Sequence, residues 1–553
     1  MPGRWYTEIT DRQIDRRQRS AGMKQKHDRR NYLIAFIVIW VVQMAAAFYF
    51  CTQKQGFHED EYYTYYSTSR TDGFYVEDGQ WMDREVYRNE FVVLPRERFR
   101  YGLVKLVQSW DVHPPVYYWV FHTAASLVPN VFSKWIGLSV NLLLHGINII
   151  LLTRLTHLTV GHDVRLSLFV TLFWGFSPAV MSGVVFIRMY EMLTTFVLLC
   201  GVLHVHAVKE NEGKLSILRC LIPMAVVTYF GFLTQYYYFI FLFYLAAAFC
   251  VWLLWRDRNL WNCIRYCISQ GIAFGLAYLT YPSCLGQMFR GQRGAQATEN
   301  FLDWTNTVER IGFFYDLMNR YVFGHMLSVL LLLILVFAVY KRHVVRYNVT
   351  FCILTFTAVG YFLTVSKTAL LLGETSVRYQ LPIYGIVVLL VFMAVSRLWK
   401  MIAASCKENR RYLKYLKYAE AVAVGLCLAS ILLGHRQDGV VFLYPEDREQ
   451  TAFAEECAAQ GTPAVYLYQP GEEWCIWDVT DELLMYPKVY FAAANSEGWI
   501  DDTEIQNADS LVVYTAGTTD ETEQAIRAVS SMGEAGHATR MFDEKYCSVW
   551  YLE

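Results

Sequence analysis

Long apolar segments recur along almost the whole chain, and they constrain its fold more than any other feature. The first runs from Tyr32 to Phe50, about the length of one membrane-spanning helix. The sequence is 55% hydrophobic and only 18% charged over 553 residues, which is too apolar for a soluble protein of this length. The further candidate spans lie at 134–153, 165–183, 190–208, 217–234, 236–255, 263–281, 323–340, 349–365, 379–396 and 418–434. Together these segments predict an α-helical polytopic membrane protein with about 11 transmembrane helices.

Basic residues in the short loops predict the orientation of these helices. Residues 1–30 carry more Arg and Lys than acids and are predicted to be cytoplasmic, with no small-residue cleavage site before the first acidic loop. The apolar piece Val116–Val128 is about 13 residues long, which is short for a span and typical of an interfacial helix. If this piece does not cross the membrane, all strongly basic short loops fall on the cytoplasmic side, as the positive-inside rule demands. If Val116–Val128 does cross, these basic loops fall on the outer side instead, against the positive-inside rule. We therefore adopt the topology in which it does not cross.

Three large segments are then extracytoplasmic: the first loop 51–133, the loop 282–322 and the tail. The division predicted is a basic tail over 1–30, a transmembrane domain over 31–434 and a C-terminal domain over 435–553. In the C-terminal domain, strand-like runs alternate with helical patterns at 446–460 and 519–531, which predicts a small α/β domain. The strand-like runs are Val440–Tyr444, Ala464–Tyr468, Val489–Ala492, Leu511–Tyr514 and Ser548–Leu552. No Gly-rich phosphate loop occurs there, which favours a lid or docking role over chemistry.

The stretch FHEDEYYTYY, Phe57–Tyr66, follows directly after the first apolar segment. It carries Glu59, Asp60 and Glu61 in a row, with His58 before them. Acids at this point are often just a solvated loop at the membrane edge. They are also candidates for a general base or a metal ligand at the mouth of an intramembrane cavity.

A second stretch, WDVHPPVYYW, runs from Trp110 to Trp119. Its two consecutive prolines prevent a helix from running back through His113 and thereby hold Asp111 and His113 at the start of the short helix. The tyrosines and tryptophans that follow are typical of the membrane interface. This stretch is therefore either a helix start with an aromatic belt or part of a site.

Arginines lie at the outer ends of two later apolar runs. Arg188 precedes Glu191 by one helical turn, and the two side chains are candidates for a simple ion pair on one face. Arg378 lies in ETSVRYQLPIY, where an arginine can extend to lipid headgroups or hold a phosphate with its planar fork. The aromatic cluster TQYYYF at 234–239 is typical of an interfacial belt.

Charge and cysteine content exclude other classes. The net charge is −1, so there is no basic field for nucleic acid. The 13 cysteines show no CxxC pair. Many lie in apolar runs and are interpreted as small hydrophobic residues rather than as a disulfide framework or a metal site.

Taken in order, HEDEYY, DVHPPVYYW, an RMY corner, TQYYY and RYQLP resemble the membrane-embedded C-type glycosyltransferases, the GT-C fold. The similarity is closest to the protein O-mannosyltransferase and aminoarabinose-transferase-like branch, glycosyltransferase family 39. It covers about residues 30–400 and does not extend to the tail. The sequence departs from the pattern at Gln235, where relatives often have His.

This resemblance implies a polyprenyl-phosphate sugar donor, an acceptor on the outer side and inversion at the anomeric carbon. Asp60 matches the catalytic carboxylate, which would deprotonate the acceptor, and Glu61 matches its neighbour. Arg188 and Arg378 would hold the donor phosphate. The other residues assigned to substrate binding or to support of the site are His58, Asp111, His113, Tyr190, Tyr237 and Tyr379.

Several alternatives stay open at this stage. A transporter or flippase for a lipid-linked glycan would also be polytopic, but it would more often carry charges at the midplane and paired repeats. An anchor for a tail-borne binding domain would leave the acidic and DVHPP motifs unexplained. No cofactor is required, although Glu59, Asp60, Glu61, Asp111 and His113 could make an oxygen-rich site for a divalent cation. The sugar, and whether the acceptor is a glycan, a lipid or a protein, stay undetermined.

Overall fold

The structure, a computed structural model, describes residues 30–69, 77–161, 163–210, 215–340, 348–405, 410–496, 498–517 and 538–553. It consists of a helical bundle and, at the end of the chain, a small mixed sheet. The protein is a multi-pass membrane protein, since several of its helices are long and apolar enough to cross a bilayer.

In the described residues, seven helices meet the length and composition of a membrane span. They include α1 (Arg30–Gln53), which directly precedes the acidic stretch. The others contain α6 (Lys134–Val160), α9 (Tyr190–Glu210), α11 (Tyr237–Asp257), α17 (Val349–Thr368), α18 (Val377–Ser405) and α19 (Arg410–Gln437).

An eighth span is broken in the middle. Helices α7 (Val164–Gly175) and α8 (Pro178–Val185) together are long and apolar enough, but they meet at 57°. The break falls at Pro178, whose ring cannot continue a helix from the preceding turn and whose neighbour Ser177 is extended. The bend leaves the segment before α9 free to form the corner that carries Arg188.

The remaining three predicted spans are also helical, but they are shorter or less apolar than a full span. They are the segment Ile217–Phe232, which contains α10 (Ile222–Phe232), then α12 (Leu260–Thr280) and α16 (Leu327–Tyr340). Every segment predicted as a span is therefore helical. By the length and composition of the described helices, however, fewer than the predicted 11 or so are full spans.

Short helices cover one end of the bundle, where the predicted outer loops lie. They are α2 (Glu59–Ser69), α3 (Arg84–Arg88), α4 (Tyr101–Trp110), α5 (Val116–Leu127), α13 (Ser283–Phe289), α14 (Gln292–Leu302) and α15 (Thr307–Tyr321). Helix α5 begins directly after the two prolines, as the sequence predicted. Its 12 residues span about 18 Å, too short to cross the membrane's hydrocarbon core.

The C-terminal part contains a six-stranded sheet in the order β1-β3-β2-β4-β6-β5. Strands β2, β3 and β4 are parallel, and the outer pairs are antiparallel. The strands are β1 (Gln80–Asp83), β2 (Ala464–Tyr468), β3 (Lys488–Ala493), β4 (Leu511–Ala516), β5 (Ala538–Asp543) and β6 (Cys547–Leu552). The helices of this part are α20 (Asp447–Gln460), α21 (Thr480–Leu483) and α22 (Thr503–Gln506). The predicted helix at 519–531 lies outside the described residues.

Three features of this sheet differ from the sequence expectation, and the first is that β5 was not among the predicted strands. Strand β1 comes from the first loop, so the sheet is built from two distant parts of the chain. The predicted strand Val440–Tyr444 is not a strand, because Phe442 and Tyr444 have positive φ angles of 71° and 49°. Phe442 instead stacks on Phe186 of the bundle, with ring centroids 4.0 Å apart. This segment therefore joins the tail to the region that contains Arg188.

Candidate active site

Asp60 lies in the first turn of α2, and its carboxylate is held between two arginines. Its Oδ1 is 3.3 Å from Nη2 of Arg188, and its Oδ2 is 3.0 Å from Nη2 of Arg378. Both arginine side chains are 4% exposed, whereas that of Asp60 is 25% exposed. The Asp60 carboxylate is thus partly accessible, while its two arginine partners are almost fully buried.

This pairing determines the charge of Asp60. Burial would raise the pKa of the carboxyl, but Arg188 and Arg378 outweigh it and hold the pKa well below its usual range. Asp60 is therefore ionised at any physiological pH. Arg188 and Arg378 together carry one positive charge more than the Asp60 carboxylate neutralises.

Arg378 has unused hydrogen-bonding capacity. Its Nη2 also donates to the hydroxyl of Tyr379 at 3.3 Å, but Nε and Nη1 have no partner among the described residues. The guanidinium lies over the rings of Phe186 and Tyr379, at 5.2 Å and 5.1 Å from their centroids. A buried hydrogen-bond donor without a partner costs free energy. The unpaired N–H groups of the Arg378 guanidinium are therefore well suited to bind an anionic ligand.

Arg188 is held more completely. Its Nη1 donates to the hydroxyls of Thr64 and Tyr118 at 3.2 Å and 3.0 Å, and its Nη2 is 3.5 Å from Nε2 of His113. Since a guanidinium only donates, Nε2 of His113 accepts, and Nδ1 is left to donate to Asp111 at 3.0 Å. Asp111 and His113 therefore position Arg188 from the DVHPP turn.

The ion pair between Arg188 and Glu191, which the sequence left open as an alternative, is not among the contacts of the described residues. The Glu191 carboxylate instead accepts from Asn148 at 2.8 Å, within the bundle. Arg188 is thereby free to contact Asp60. The corner before α9 separates two side chains that a continuous helix would bring together.

His58 supports the start of α2. Its Nδ1 accepts the backbone N–H of Asp60 at 3.0 Å, so the ring is neutral. Burial lowers the pKa of His58 to about 3, against the opposing effect of Asp60. His58 thus fixes the backbone of the turn that carries Asp60.

Glu61 points away from Asp60 and lies in a fully buried ion pair with Lys54. The two side chains are 0% exposed, and Nζ of Lys54 is 2.9 Å from Oε2 of Glu61. The same carboxylate accepts the backbone N–H groups of His58 and Ile187, at 2.7 Å and 2.6 Å. We name this pair the Lys54–Glu61 pair. Glu61 joins α2 to the Arg188 corner and does not line the cavity, so its geometry fits positioning rather than contact with substrate.

A cavity of about 260 Å³ opens beside Asp60, between the outer helices and the bundle. Tyr190, Tyr237 and Tyr379 form an aromatic wall, with Tyr379 6.0 Å and 6.1 Å from the other two ring centroids. The residues predicted from the sequence that line the cavity are Asp60, His113, Arg188, Tyr190, Tyr237, Arg378 and Tyr379. Its apolar side includes Phe239, Ile240, Leu370 and Leu372. One end of the cavity is thus charged and the other suits an apolar chain.

Sequence reasoning missed several lining residues, among them Gln287, Arg293 and Gln296, whereas Glu59, considered as a candidate base or metal ligand, does line the cavity. Gln287 and Arg293 come from the loop 282–322, which the orientation placed on the same side as Asp60. No sequence signal distinguishes Arg293 from the other charged residues of that loop. Gln235, at the position where the motif departs from relatives, does line the cavity.

The acidic residues do not fit the oxygen-rich metal site considered from the sequence. Asp60 is occupied by two arginines and Glu61 by Lys54, so these two carboxylates face different partners. Where the chain is described, the only group of potential ligand atoms close enough for a metal consists of three cysteines far along the chain. No step below therefore depends on a metal at Asp60.

The fold and the site define a class of protein: a polytopic helical membrane protein with an acid–arginine site at the end of the bundle. The chain has the GT-C fold of membrane glycosyltransferases. Over 94% of this chain and 97% of the other, it superimposes on ArnT from Cupriavidus metallidurans bound to undecaprenyl phosphate, with a TM-score of 0.51 and 12% identity.

A second similar structure is the archaeal oligosaccharyltransferase AglB from Archaeoglobus fulgidus, solved with an inhibitory peptide and a dolichol-phosphate. It shows 12% identity and a TM-score of 0.46, covering 86% of this chain and 69% of that one. No protein-family model matches the sequence, and no curated protein matches it significantly.

Proposed function

We propose that this protein transfers a sugar from a polyprenyl-phosphate donor to an acceptor on the extracytoplasmic side, with inversion. The observation that carries the proposal is the Asp60 carboxylate, held between Arg188 and Arg378 at the mouth of a half-apolar cavity. A base and cationic groups side by side are what this reaction needs: one takes the acceptor's proton and the others stabilise the leaving phosphate. ArnT, which shares the fold, was crystallised with undecaprenyl phosphate.

In the reaction, the acceptor oxygen attacks the anomeric carbon from the face opposite the phosphate. The bond from that carbon to the phosphate oxygen breaks, and its electron pair stays on the phosphate. The proton of the acceptor hydroxyl goes to Asp60. At the anomeric carbon one bond forms and one breaks. The sugar is therefore transferred to the acceptor with inverted configuration, and no cofactor is consumed.

Arg378 and Arg188 stabilise the charge that grows on the leaving phosphate. Arg378 carries the larger share, since two of its nitrogens have no partner among the described residues. A bound phosphate neutralises part of the positive guanidinium charge. The arginines then stabilise the Asp60 carboxylate less, so the pKa of Asp60 rises towards its usual value. Donor binding thereby makes Asp60 a better base.

The apolar part of the cavity suits the first isoprene units of the donor, and the aromatic wall suits a sugar face. Phe239 and Ile240 lie on α11 beside Tyr237, so the lipid and sugar sides of the cavity are continuous. A transporter would not need a carboxylate fixed by two arginines at one end of its path. We therefore favour the transferase over the flippase.

The test is the binding of undecaprenyl phosphate to the purified protein in nanodiscs, measured for wild type, Arg378→Lys and Arg378→Ala. A charge-assisted pair is worth about 1.5–3 kcal/mol, so Arg378→Ala should weaken binding roughly 10- to 100-fold. Arg378→Lys keeps the charge but loses the fork and should fall between the two. Arg96→Ala, at an arginine whose side chain is 80% exposed, is the matched control. Unchanged affinity in both Arg378 variants would contradict the assignment.

A further inference from the structure

Three cysteines from two neighbouring helices converge near the end of the bundle hairpin formed by α11 and α12. Cys250 lies on α11, and Cys263 and Cys267 lie one turn apart on α12. Their sulfur atoms all lie within 4.8 Å of one another, and those of Cys250 and Cys267 are 4.0 Å apart. Sequence spacing did not indicate this group, because Cys250 is separated from the others by the hairpin turn.

These distances match a three-coordinate thiolate site. A metal–thiolate bond of about 2.3 Å in a trigonal plane places the sulfurs about 4.0 Å apart. The structure already holds Cys250 and Cys267 at that separation. The third sulfur, that of Cys263, lies within 4.8 Å of both.

The ligand set determines which ion fits. Within the described residues the group contains three sulfurs and no His or carboxylate. Structural zinc sites use four protein ligands, whereas thiolates alone in low number suit a soft cation such as Cu(I).

We propose that Cys250, Cys263 and Cys267 form a binding site for one soft, thiophilic metal ion, with Cu(I) as the ion that fits. On binding, the three thiols release their protons to solvent and three sulfur–metal bonds form, with no change in oxidation state. On the proposed orientation the hairpin turn faces the cytoplasm, where thiols stay reduced.

The site has a structural consequence for the candidate active site. It joins α11 and α12 about 20 Å along α11 from Tyr237, the residue that lines the cavity. The other end of α12 leads into α13, which supplies Gln287 to the same cavity. A metal ion here would hold together the hairpin that carries Tyr237 and leads into the helix of Gln287.

The experiment is a Cu(I) titration of the reduced, full-length protein in detergent under anaerobic conditions, against a chromophoric Cu(I) chelator. Wild type should compete for one equivalent per chain, and its thermal unfolding midpoint should rise with the bound ion. The triple variant Cys250→Ser, Cys263→Ser, Cys267→Ser should lose both effects. The matched control changes Cys220, Cys352 and Cys427 to Ser and should retain them.

If the triple variant does not fold, the single variant Cys263→Ser tests the same point, and it should weaken Cu(I) binding at least 10-fold. Equal Cu(I) binding in the cluster variants and the control would overturn the proposal. So would one equivalent of Zn(II) bound through these cysteines without competition for Cu(I). A Cys250–Cys267 disulfide in the protein as isolated, detected by peptide mass, would overturn it as well.

Discussion

Asp60 combines two properties that oppose each other, because a carboxylate that contacts two guanidinium groups is firmly placed but weakly basic. Its position in the first turn of α2 is fixed by His58 from behind and by Arg188 and Arg378 in front. The proposed mechanism accounts for both properties, because the donor phosphate would bind to the same two arginines. Asp60 is then expected to gain basicity only when the donor is bound.

Replacing Asp60 by Asn keeps its size and removes its basicity. We expect Asp60→Asn to lower the rate of sugar transfer roughly 10²- to 10⁴-fold, the usual contribution of a general base. Undecaprenyl phosphate affinity should stay near that of wild type, because both arginines remain. Release of undecaprenyl phosphate from a panel of lipid-linked sugars measures the first quantity.

The control for this variant is Asp316→Asn, at an acid whose side chain is 59% exposed. It should transfer sugar at the wild-type rate. Transfer by Asp60→Asn within a factor of two of wild type would show that Asp60 is not the base, and the transporter interpretation would regain support.

The pH dependence of the reaction follows from the same contacts. The pKa of Asp60 is depressed and that of His58 is lowered to about 3, so neither group in the free protein changes charge between pH 5 and 8. Because kcat/KM reports the free enzyme, its profile should show no acid limb from these groups over that range. A limb with a midpoint near pH 6 that disappears in Asp60→Asn would contradict the depressed pKa.

Residue types and their positions relative to the apolar runs marked the stretches that carry Asp60, Arg188, His113 and Arg378, and the family resemblance singled out Asp60 among three adjacent acids. Their mutual contacts were not predictable. Glu191, one turn away, was one candidate partner of Arg188, and the corner at the end of α8 directs the guanidinium to Asp60 instead. Arg293 could not be distinguished at all, since nothing local marks one charged residue of a long loop as facing a cavity.

Among the elements, α1 and α2 are joined by the Lys54–Glu61 pair, which has no exposed surface. Nζ of Lys54 also donates to the backbone carbonyl of Phe442 at 2.8 Å, so the pair connects three parts of the chain. Removing one member of a buried ion pair leaves an uncompensated charge and typically costs about 3–5 kcal/mol.

We therefore expect Lys54→Met alone to lower the stability of the protein strongly, and the double variant Lys54→Met, Glu61→Gln to recover most of the loss. The reason is that the double variant buries no unpaired charge. Thermal unfolding in detergent, followed by the loss of monodisperse protein, measures both. Equal destabilisation by the single and double variants would show that the ion pair does not hold α2.

Apolar periodicity predicted where helices form, but not how many of them have the length and apolarity of a span. The predicted span at 165–183 contains Pro178, and the structure divides it into α7 and α8 at that residue. Strand β1 was not predicted, because Gln80–Asp83 is short and gains its structure only by pairing with β3. The secondary structure of such segments depends on tertiary contacts, and a local sequence pattern carries no information about those contacts.

For the whole molecule, the positive-inside pattern predicts which side carries the site. Cysteines introduced at exposed positions test it in a background without accessible native thiols. A cysteine at Arg96, in the first loop, should react with an impermeant thiol reagent on intact cells, and one at Lys209, at the end of α9, should not. The reverse labelling pattern would contradict the orientation and move Asp60 to the cytoplasmic side.

The sheet that includes β1 has a consequence for the way the protein is made. Residues of the first loop complete a domain whose other strands are synthesised last, and Lys54 reaches Phe442 across 388 positions of sequence. Trp477 lies against Tyr62, Tyr63 and Tyr66 of α2, so the turn that carries Asp60 gains its final surroundings only after the segment around Trp477 has been synthesised. Contacts between such distant segments form late in folding. A chain still attached to the ribosome should therefore lack a competent site, and sugar transfer should begin only once translation is finished.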